Sequence, residues 1–269
     1  MPLAFGHNVA MDVRDLNRNA WNHWVEQGDR WTVPMDEATI ARARRGDWSV
    51  LLTNNKPVPR EWFPEMTGLD VLCLASGGGQ QGPVLAAAGA NVTVFDNAPN
   101  QLAQDQLVAE RESLELKTIE GDMRDLSAFA NNSFDLVFNP FSNNFVPNVH
   151  PVWQEAFRVL RPGGVLMSGF MNPVVYIFDL DLEEREKVLQ IKYKLPFSDL
   201  DSRPPEELEA LVAKHHVLEF SHSLDDQLGG QMRAGFMLTA LYEDRHSLED
   251  FSLSEYTPTL IATRAIKPE

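Results

Sequence analysis

The chain has 269 residues, with 23 Lys+Arg against 39 Asp+Glu and a formal net charge of −16 at pH 7. That length fits one large α/β domain or a core with a smaller appendage, and 43% hydrophobic with 23% charged residues excludes a disordered chain. The acidity argues against a general nucleic-acid binder and against an anionic membrane surface, since both would repel it. A single cysteine, Cys73, rules out an internal disulfide framework and a Cys-rich metal site. The first twenty residues lack a basic start followed by an apolar core, so they do not read as a signal peptide. The most apolar stretch, Val165 to Phe178, is broken by Ser168, Gly169, Asn172 and Pro173 and is not expected to span a bilayer. A soluble, cytoplasmic protein is expected.

Residues 1–66 carry five of the six tryptophans: Trp21, Trp24, Trp31, Trp48 and Trp62. Helices are expected around 14–27 and 36–46, followed by a Pro-rich exit at Pro57, Pro59 and Pro64. This segment reads as an N-terminal helical cap, whose aromatics either pack on the main core or form a lid over a ligand. From residue 67 the pattern turns to alternating strand and helix. The apolar run 69–75 reads as a buried parallel strand, 82–90 as a helix closed by Gly89, and 91–96 as the next strand. Residues 99–113 form a helix with Pro99 in its first turn, and 116–122 and 133–140 are strands. An amphipathic helix is expected over 149–160, then a turn at Arg161–Gly164 into the strand 165–170. Strict alternation predicts a parallel sheet with helices on both faces. Residues 171–216 are acidic and proline-containing and read as an insertion. Ser223–Asp226 is a capping box for a helix stopping at Gly235. Strands at 236–244 and 259–267, with no evident helix between them, should pair antiparallel. The predicted fold class is α/β, a Rossmann-like doubly wound seven-stranded sheet with an antiparallel last strand, over residues 67–269.

The chemistry points to the turn after the first of these strands, Ser76-Gly-Gly-Gly-Gln-Gln-Gly82. Gly77-x-Gly79-x-x-Gly82 matches the dinucleotide fingerprint, in which glycine permits a sharp bend and close approach of a ligand. The following helix N-terminus offers free N–H groups to an anion. Asp96 ends the next strand, where a carboxylate can accept both ribose hydroxyls; the plain alternative is a helix cap. Nicotinamide and S-adenosylmethionine enzymes share these two elements. Three further features favour the second: Gly121-Asp122-Met123, with an acid for an adenine amino group and a methionine for its ring; the turn Val159–Gly164; and the reversed terminal hairpin.

On the stretches VLCLASGGGQQG, VTVFDNAPNQL, IEGDMRDL, SFDLVFNPF and RVLRPGGVLMSGF, the chain resembles the class I S-adenosylmethionine-dependent methyltransferases, particularly the bacterial "type 11" small-molecule group. The likeness covers roughly 68–170 and returns in 219–267. It implies a cofactor-binding set of Ala75, Ser76, Gly77, Gly79, Asp96, Asn97, Gly121, Asp122 and Met123, with Asn139 bordering the methyl-transfer channel. The turn Ala75–Gly79 would hold the methionine moiety. Two residues depart from the family pattern: Cys73 stands where an acid is common, and Ala75 where glycine is. Asn139-Pro140-Phe141-Ser142 is similar to the Asn-Pro-Pro-aromatic motif of amide and base N-methyltransferases but lacks its second proline.

Methyl transfer from a sulfonium needs a general base only if the acceptor arrives protonated, and no base stands out; His150 and His222 are the candidates. The adjacent His215 and His216 do not read as a chelate. The acidic run Asp179–Glu186 reads as a solvated face, so no metal is expected. The expected partner is a small-molecule substrate, with no nucleic acid and no membrane. Two rivals share the fingerprint: a protein that binds S-adenosylmethionine without transferring its methyl, and an NAD-dependent oxidoreductase. Trp21, Trp24 and Trp31 lie outside the βα pattern and are expected to cover the cofactor as one wall of the acceptor pocket, on a segment able to move without disturbing the sheet.

Overall fold

In a computed structural model, residues 3–5 and 9–269 are described; residues 1, 2 and 6–8 of the expected cap lie outside the described residues. A short antiparallel pair, β1 (Leu3–Phe5) and β2 (Val9–Met11), precedes α1 (Val13–Gln27) and α2 (Glu37–Ala43). The βα repeat follows: β3 (Asp70–Leu74), α3 (Gln81–Ala87), β4 (Asn91–Asp96), α4 (Pro99–Glu112), β5 (Leu116–Glu120), β6 (Phe134–Asn139), α5 (His150–Val159) and β7 (Leu160–Met171). Three short helices, α6 (Leu180–Glu186), α7 (Asp199–Ser202) and α8 (Pro205–Ala213), occupy the insertion; α9 (Gly230–Ala234), β8 (Met237–Asp244) and β9 (Leu260–Ile266) complete the chain.

The seven strands are ordered β5-β4-β3-β6-β7-β9-β8. Neighbours from β5 to β7 are parallel, while β9 runs antiparallel to both β7 and β8. The last strand thus inserts between the fifth and sixth of the sheet, as the terminal hairpin predicts. Side-chain alternation divides the core between the two faces. Along β3, Val71 and Cys73 pack on one side with Val94, Leu136, Phe138 and Met167. Leu72 and Leu74 pack on the other with Phe95, Val137, Leu166, Trp153 and Ala156. Both sets are apolar because both faces are covered by helices, which explains the unbroken hydrophobic run in β3.

Local signals place most boundaries. Asp12 caps α1, and Gly28, in the left-handed region at φ +68°, ends it. Pro99 opens α4. The box at Ser223 is reciprocal: the Ser223 hydroxyl accepts from the Asp226 N–H, and the Asp226 carboxylate accepts from the Ser223 N–H, both at 3.1 Å. It opens as a π-turn over Asp225–Gly229 before α9. The helix expected to reach 46 stops at Ala43, because Arg45 and Gly46 bond back to Arg42 and Ala43 as a turn. The insertion is more ordered than its composition suggests. Some of its carboxylates are engaged: Asp179 caps α6 and pairs with Lys192, and Asp181 pairs with Arg203, while Glu184 and Glu186 stay exposed.

The cap is stitched to the rest by buried polar groups. Asn17, 3% exposed, donates to Phe145 O and Leu218 O and accepts from the Leu218 N–H at 2.7 Å. Val13 and Leu16 of α1 pack with Leu208, Leu218 and Phe220, so the cap and the insertion share a small core. The helix therefore does not rest loosely on the sheet; displacing it would strand buried hydrogen-bonding groups. Farther along, the Leu52 carbonyl lies directly on Gly169 of β7, where a Cβ would overlap it. Gly169→Ala is accordingly expected to lower stability by about 1–3 kcal/mol, measured by urea unfolding, through forced separation of the cap exit from the sheet.

Candidate active site

The parallel strands β3 to β6 end at one edge, and the turns leaving them floor a cavity of about 360 Å³. Ala75, Ser76 and Gly77 follow β3, Asp96 and Asn97 close β4, and Gly121, Asp122 and Met123 follow β5; all eight line the cavity. Ligand sites of open parallel sheets form outside these carboxyl ends. The walls come from α1 with Trp21 and Trp24, from Trp31, from Leu51–Asn54, from Phe141 and Phe145, and from Glu219 and His246.

The glycine turn is held from below by two carboxylates. Asp96 accepts from the Gly77 N–H and from the Ala98 N–H, each at 2.9 Å, and burial still pushes its pKa up. Asp105, fully buried in α4, accepts from the Gly78 N–H at 3.0 Å. Burial pushes Asp105 well up too, with Asp96 adding to it, and backbone hydrogen bonds only partly compensate. Cys73 lies close enough that, beyond its own burial, Asp105 raises its thiol pKa further. An acid thus reaches the glycine turn from α4, beneath the cavity floor, and not from Cys73 of β3. Asp105 escapes a sequence reading because its role depends on tertiary packing; its signal is an acid beside Leu102 and Val108 on an otherwise buried helix face.

Several expected residues take their places. Ala75 adopts the left-handed region at φ +48°, which a glycine would enter without strain. Ser76 is 3% exposed, lines the cavity, and its hydroxyl has no partner among the described residues. Asn97 clasps α1: its carboxamide donates to Arg14 O at 2.8 Å and accepts from Arg14 Nε at 2.9 Å. Met123 is buried beneath Ser142. Burial opposes ionisation of Asp122, but Arg124, bonded to both of its oxygens, outweighs this and holds the carboxyl below its usual range.

Others are corrected. Gly79 does not line the cavity; a Cβ there would meet Pro34 Cβ at 2.7 Å and Gln104 O at 2.8 Å, so this glycine serves the packing of the turn on α4. Asn139 is fully buried behind the floor, donating to Leu74 O and Ser142 Oγ and accepting from Ser168 Oγ, and it ties strands together without bordering the cavity. Neither candidate base lines the cavity. His150 pairs with Asp226 at 3.1 Å on α5, and His222 is buried with Nε2 3.0 Å from both Asn143 O and Val146 O, where burial lowers its pKa. The histidine that does line it is His246, in the loop after β8, with Nδ1 2.8 Å from Thr259 Oγ1. Trp21, Trp24 and Trp31 all face the cavity, whereas Trp48 and Trp62 belong to the core. Trp21 packs edge-on against Trp24 and Phe145, and Trp24 Nε1 donates to His215 O at 3.0 Å. Among the described residues no group of three or more metal-ligating side chains converges, and no helix is long and apolar enough to cross a membrane.

This sheet order, with a glycine turn and strand-end acids around one cavity, defines a class I methyltransferase architecture. Comparison with known proteins agrees. A family described as "Methyltransferase domain" matches residues 72–168. The uncharacterized methyltransferase YbaJ of Bacillus subtilis (strain 168) is 49% identical over 251 residues, covering 93% of this chain and 97% of that protein. The fold is shared with an S-adenosylmethionine-dependent methyltransferase from Mesorhizobium loti (TM-score 0.58, 18% identity, 77% of this chain and 94% of that one). It is shared also with a SAM-dependent methyltransferase from Methanosarcina mazei (TM-score 0.57, 17% identity, 80% and 99%). The chain belongs to the S-adenosylmethionine-dependent methyltransferases.

The Asp105 clamp has a pH signature. Its folded-state pKa lies above the ordinary 3.8, so the folded protein holds this proton more tightly than the unfolded chain. The stability it contributes is greatest in acid and falls as pH rises past the ordinary carboxylate range. Asp105→Asn, which cannot ionise, should therefore gain on the wild type as pH rises above the ordinary carboxylate range, read from urea midpoints at each pH.

Proposed function

We propose that this cavity binds S-adenosylmethionine and that the enzyme methylates a small-molecule acceptor beneath the tryptophans. The observation that carries the reading is the convergence of three strand-end groups on one cavity: the Ala75–Gly77 turn, the Asp96 carboxylate, and Gly121–Met123. The residues present fit the cofactor. Ser76 offers a buried hydroxyl without a partner among the described residues, Asp96 keeps acceptor capacity toward the cavity beyond its two backbone bonds, and Met123 offers a polarizable face to a flat ring. Asp122 would meet an adenine amino group with its charge already shared with Arg124.

When bound, the cofactor supplies an activated methyl on a sulfonium. The protein's part is to position an acceptor in line and to exclude water. Ala75, Ser76 and Gly77 would seat the methionine moiety, and Asp96 would accept from the ribose hydroxyls. Trp21, Trp24, Phe141 and Phe145 supply aromatic surface that sheds water and favours a cation nearby. An enclosed aromatic wall and a net charge of −16 favour a small acceptor over nucleic acid. We place the reaction in the cytoplasm, a setting supported by the free thiol of Cys73.

Calorimetry should show binding of S-adenosylmethionine and S-adenosylhomocysteine but not NAD; the reverse would overturn the reading. Hydrogen bonds to a charged group contribute roughly 1.5–3 kcal/mol, so Asp96→Ala, if folded, should bind about 10- to 150-fold more weakly. Adenosylhomocysteine should also change tryptophan fluorescence and slow proteolysis within residues 12–35. Unchanged fluorescence in both Trp21→Phe and wild-type protein would remove these tryptophans from the site.

A further inference from the structure

The segment between α8 and the capped helix runs Val217-Leu-Glu-Phe-Ser221, four buried residues around one acid that lines the cavity. Its backbone is fixed on both sides: the Leu218 N–H donates to Asn17 of α1 and the Glu219 N–H donates to Asp199 at 2.7 Å. The buried Tyr176 hydroxyl donates to Glu219 Oε2 at 2.9 Å, while no well-formed hydrogen bond from the described residues reaches Oε1. Behind it, the carboxamide of Asn144 is 3% exposed and neither of its polar atoms has a well-formed partner. An acid built into a cavity wall, oriented by the Tyr176 hydroxyl with the Asn144 carboxamide close beside it, is arranged to accept a proton from the cavity side.

We propose that Glu219 is the general base of the methyl transfer, taking a proton from a hydroxyl-bearing or neutral amine acceptor; this rests on the reading of the cavity as the transfer site. A lone pair of the acceptor oxygen or nitrogen forms the new bond to the methyl carbon. The methyl–sulfur bond breaks and leaves its electron pair on sulfur. The acceptor's proton passes to Glu219 Oε1, so the positive charge lost from the sulfonium is balanced by the negative charge lost from the carboxylate. Burial, with the nearby charge of Asp199 adding to it, pushes the Glu219 pKa up to about 7, against the bond from Tyr176, the charge of Arg203 and the carboxamide of Asn144. A base so placed is half-ionised near neutrality and strong enough to hold the proton it takes. The titratable and charged groups set against it are Tyr176 from the turn 173–177 and Asp199 and Arg203 from α7 and its exit; Asn144 is the neutral neighbour. His246 is the histidine of the same cavity and the rival for the role.

The test need not wait for the acceptor. Full-length protein carrying 13C at its glutamate carboxyls is titrated by NMR with S-adenosylhomocysteine and, separately, with S-adenosylmethionine. One carboxyl should titrate near neutrality, vanish in Glu219→Gln, and have a midpoint lower by about one pH unit with the sulfonium than with the thioether. Equal midpoints with the two ligands would show that Glu219 does not face the reacting centre and would overturn the proposal. Tyr176→Phe keeps the carboxylate but loses its donor, and should raise the midpoint while preserving the difference between ligands. Calorimetry separates the two readings: wild type that binds neither ligand overturns the site itself, whereas binding with equal midpoints overturns only the base. In transfer assays with methyl-labelled S-adenosylmethionine and small phenols, alcohols and amines, rate should rise with pH up to the Glu219 midpoint. Glu219→Gln should lower kcat about 10²- to 10⁴-fold without changing the KM for S-adenosylmethionine. Wild-type rates in Glu219→Gln, or a pH limb that persists there and is lost in His246→Gln, would overturn it.

Discussion

The site depends on how three consecutive glycines are held at the end of β3. A turn this tight leaves backbone N–H groups pointing inward, away from water, and each needs an acceptor. Asp96 meets Gly77 and Asp105 meets Gly78, so the turn is fastened to β4 and α4 at once. Both carboxylates are desolvated to do this, which raises both pKa values; the hydrogen bonds and the rigidity of the turn are what that cost sustains. Gly77 has Gln101 Cβ within 2.7 Å of where a Cβ would stand, so the turn can lie this close to α4 only with glycine. Once the turn is fixed, the positions of Ala75 and Ser76 on the cavity floor follow.

The roof is built differently. Its parts come from α1, the segment around Leu52, the exit of β6, the stretch at Glu219 and the loop after β8, which are far apart in the chain. They meet because buried polar side chains bridge them. Asn17 joins α1 to Phe145 and Leu218, Asn97 joins the end of β4 to Arg14, and Asn22 accepts from the Asn100 N–H at 3.0 Å. Carboxamides suit this task because each can donate and accept at once without a net charge to desolvate. The insertion contributes to the same roof, since the short core of Leu208, Leu218 and Phe220 receives Val13 and Leu16. A segment that differs in composition from the sheet thereby braces α1, which carries Trp21 and Trp24 into the cavity wall.

Charge is managed locally in an acidic molecule. Asp122 is neutralised by Arg124, Asp199 by Arg203, and Asp70 with Asp135 by Arg161. Around the cavity this leaves Asp96 and Glu219 as acids without a cationic partner in direct contact among the described residues. Low dielectric and aromatic walls strengthen whatever field they exert. Arg14 and Arg30 also line the cavity, bonded to Asn97 and Asp250, so the wall presents both signs of charge, and its two unpaired acids are the groups that would compensate the positive charge of the proposed methyl donor.

Residues 67–170 announced their fold because the evidence there is local. Apolar runs such as 71–74, the turn glycines, Pro99 at a helix start and the box at Ser223 each specify backbone geometry within a few residues. The strand-end acids Asp96 and Asp122 were legible for the same reason, since a βα turn places whatever follows the strand at the sheet edge. Asn139 and Gly79 were misplaced because a strand-end position does not say which way a side chain points once a neighbouring helix or strand fills the space. His150 and His222 lie outside the cavity because a histidine's placement depends on tertiary partners, here Asp226 in one case and two backbone carbonyls in the other. By itself, then, the sequence determined the sheet, its reversed last strand, and the floor that presents Ala75–Gly77, Asp96 and Gly121–Met123. Only the tertiary structure decided that Asp105 fastens the glycine turn, that the tryptophans divide between core and cavity, and that Glu219 enters the wall. Those outcomes rest on contacts between segments up to two hundred residues apart, as between Asn17 and Leu218, which no local pattern of residues encodes.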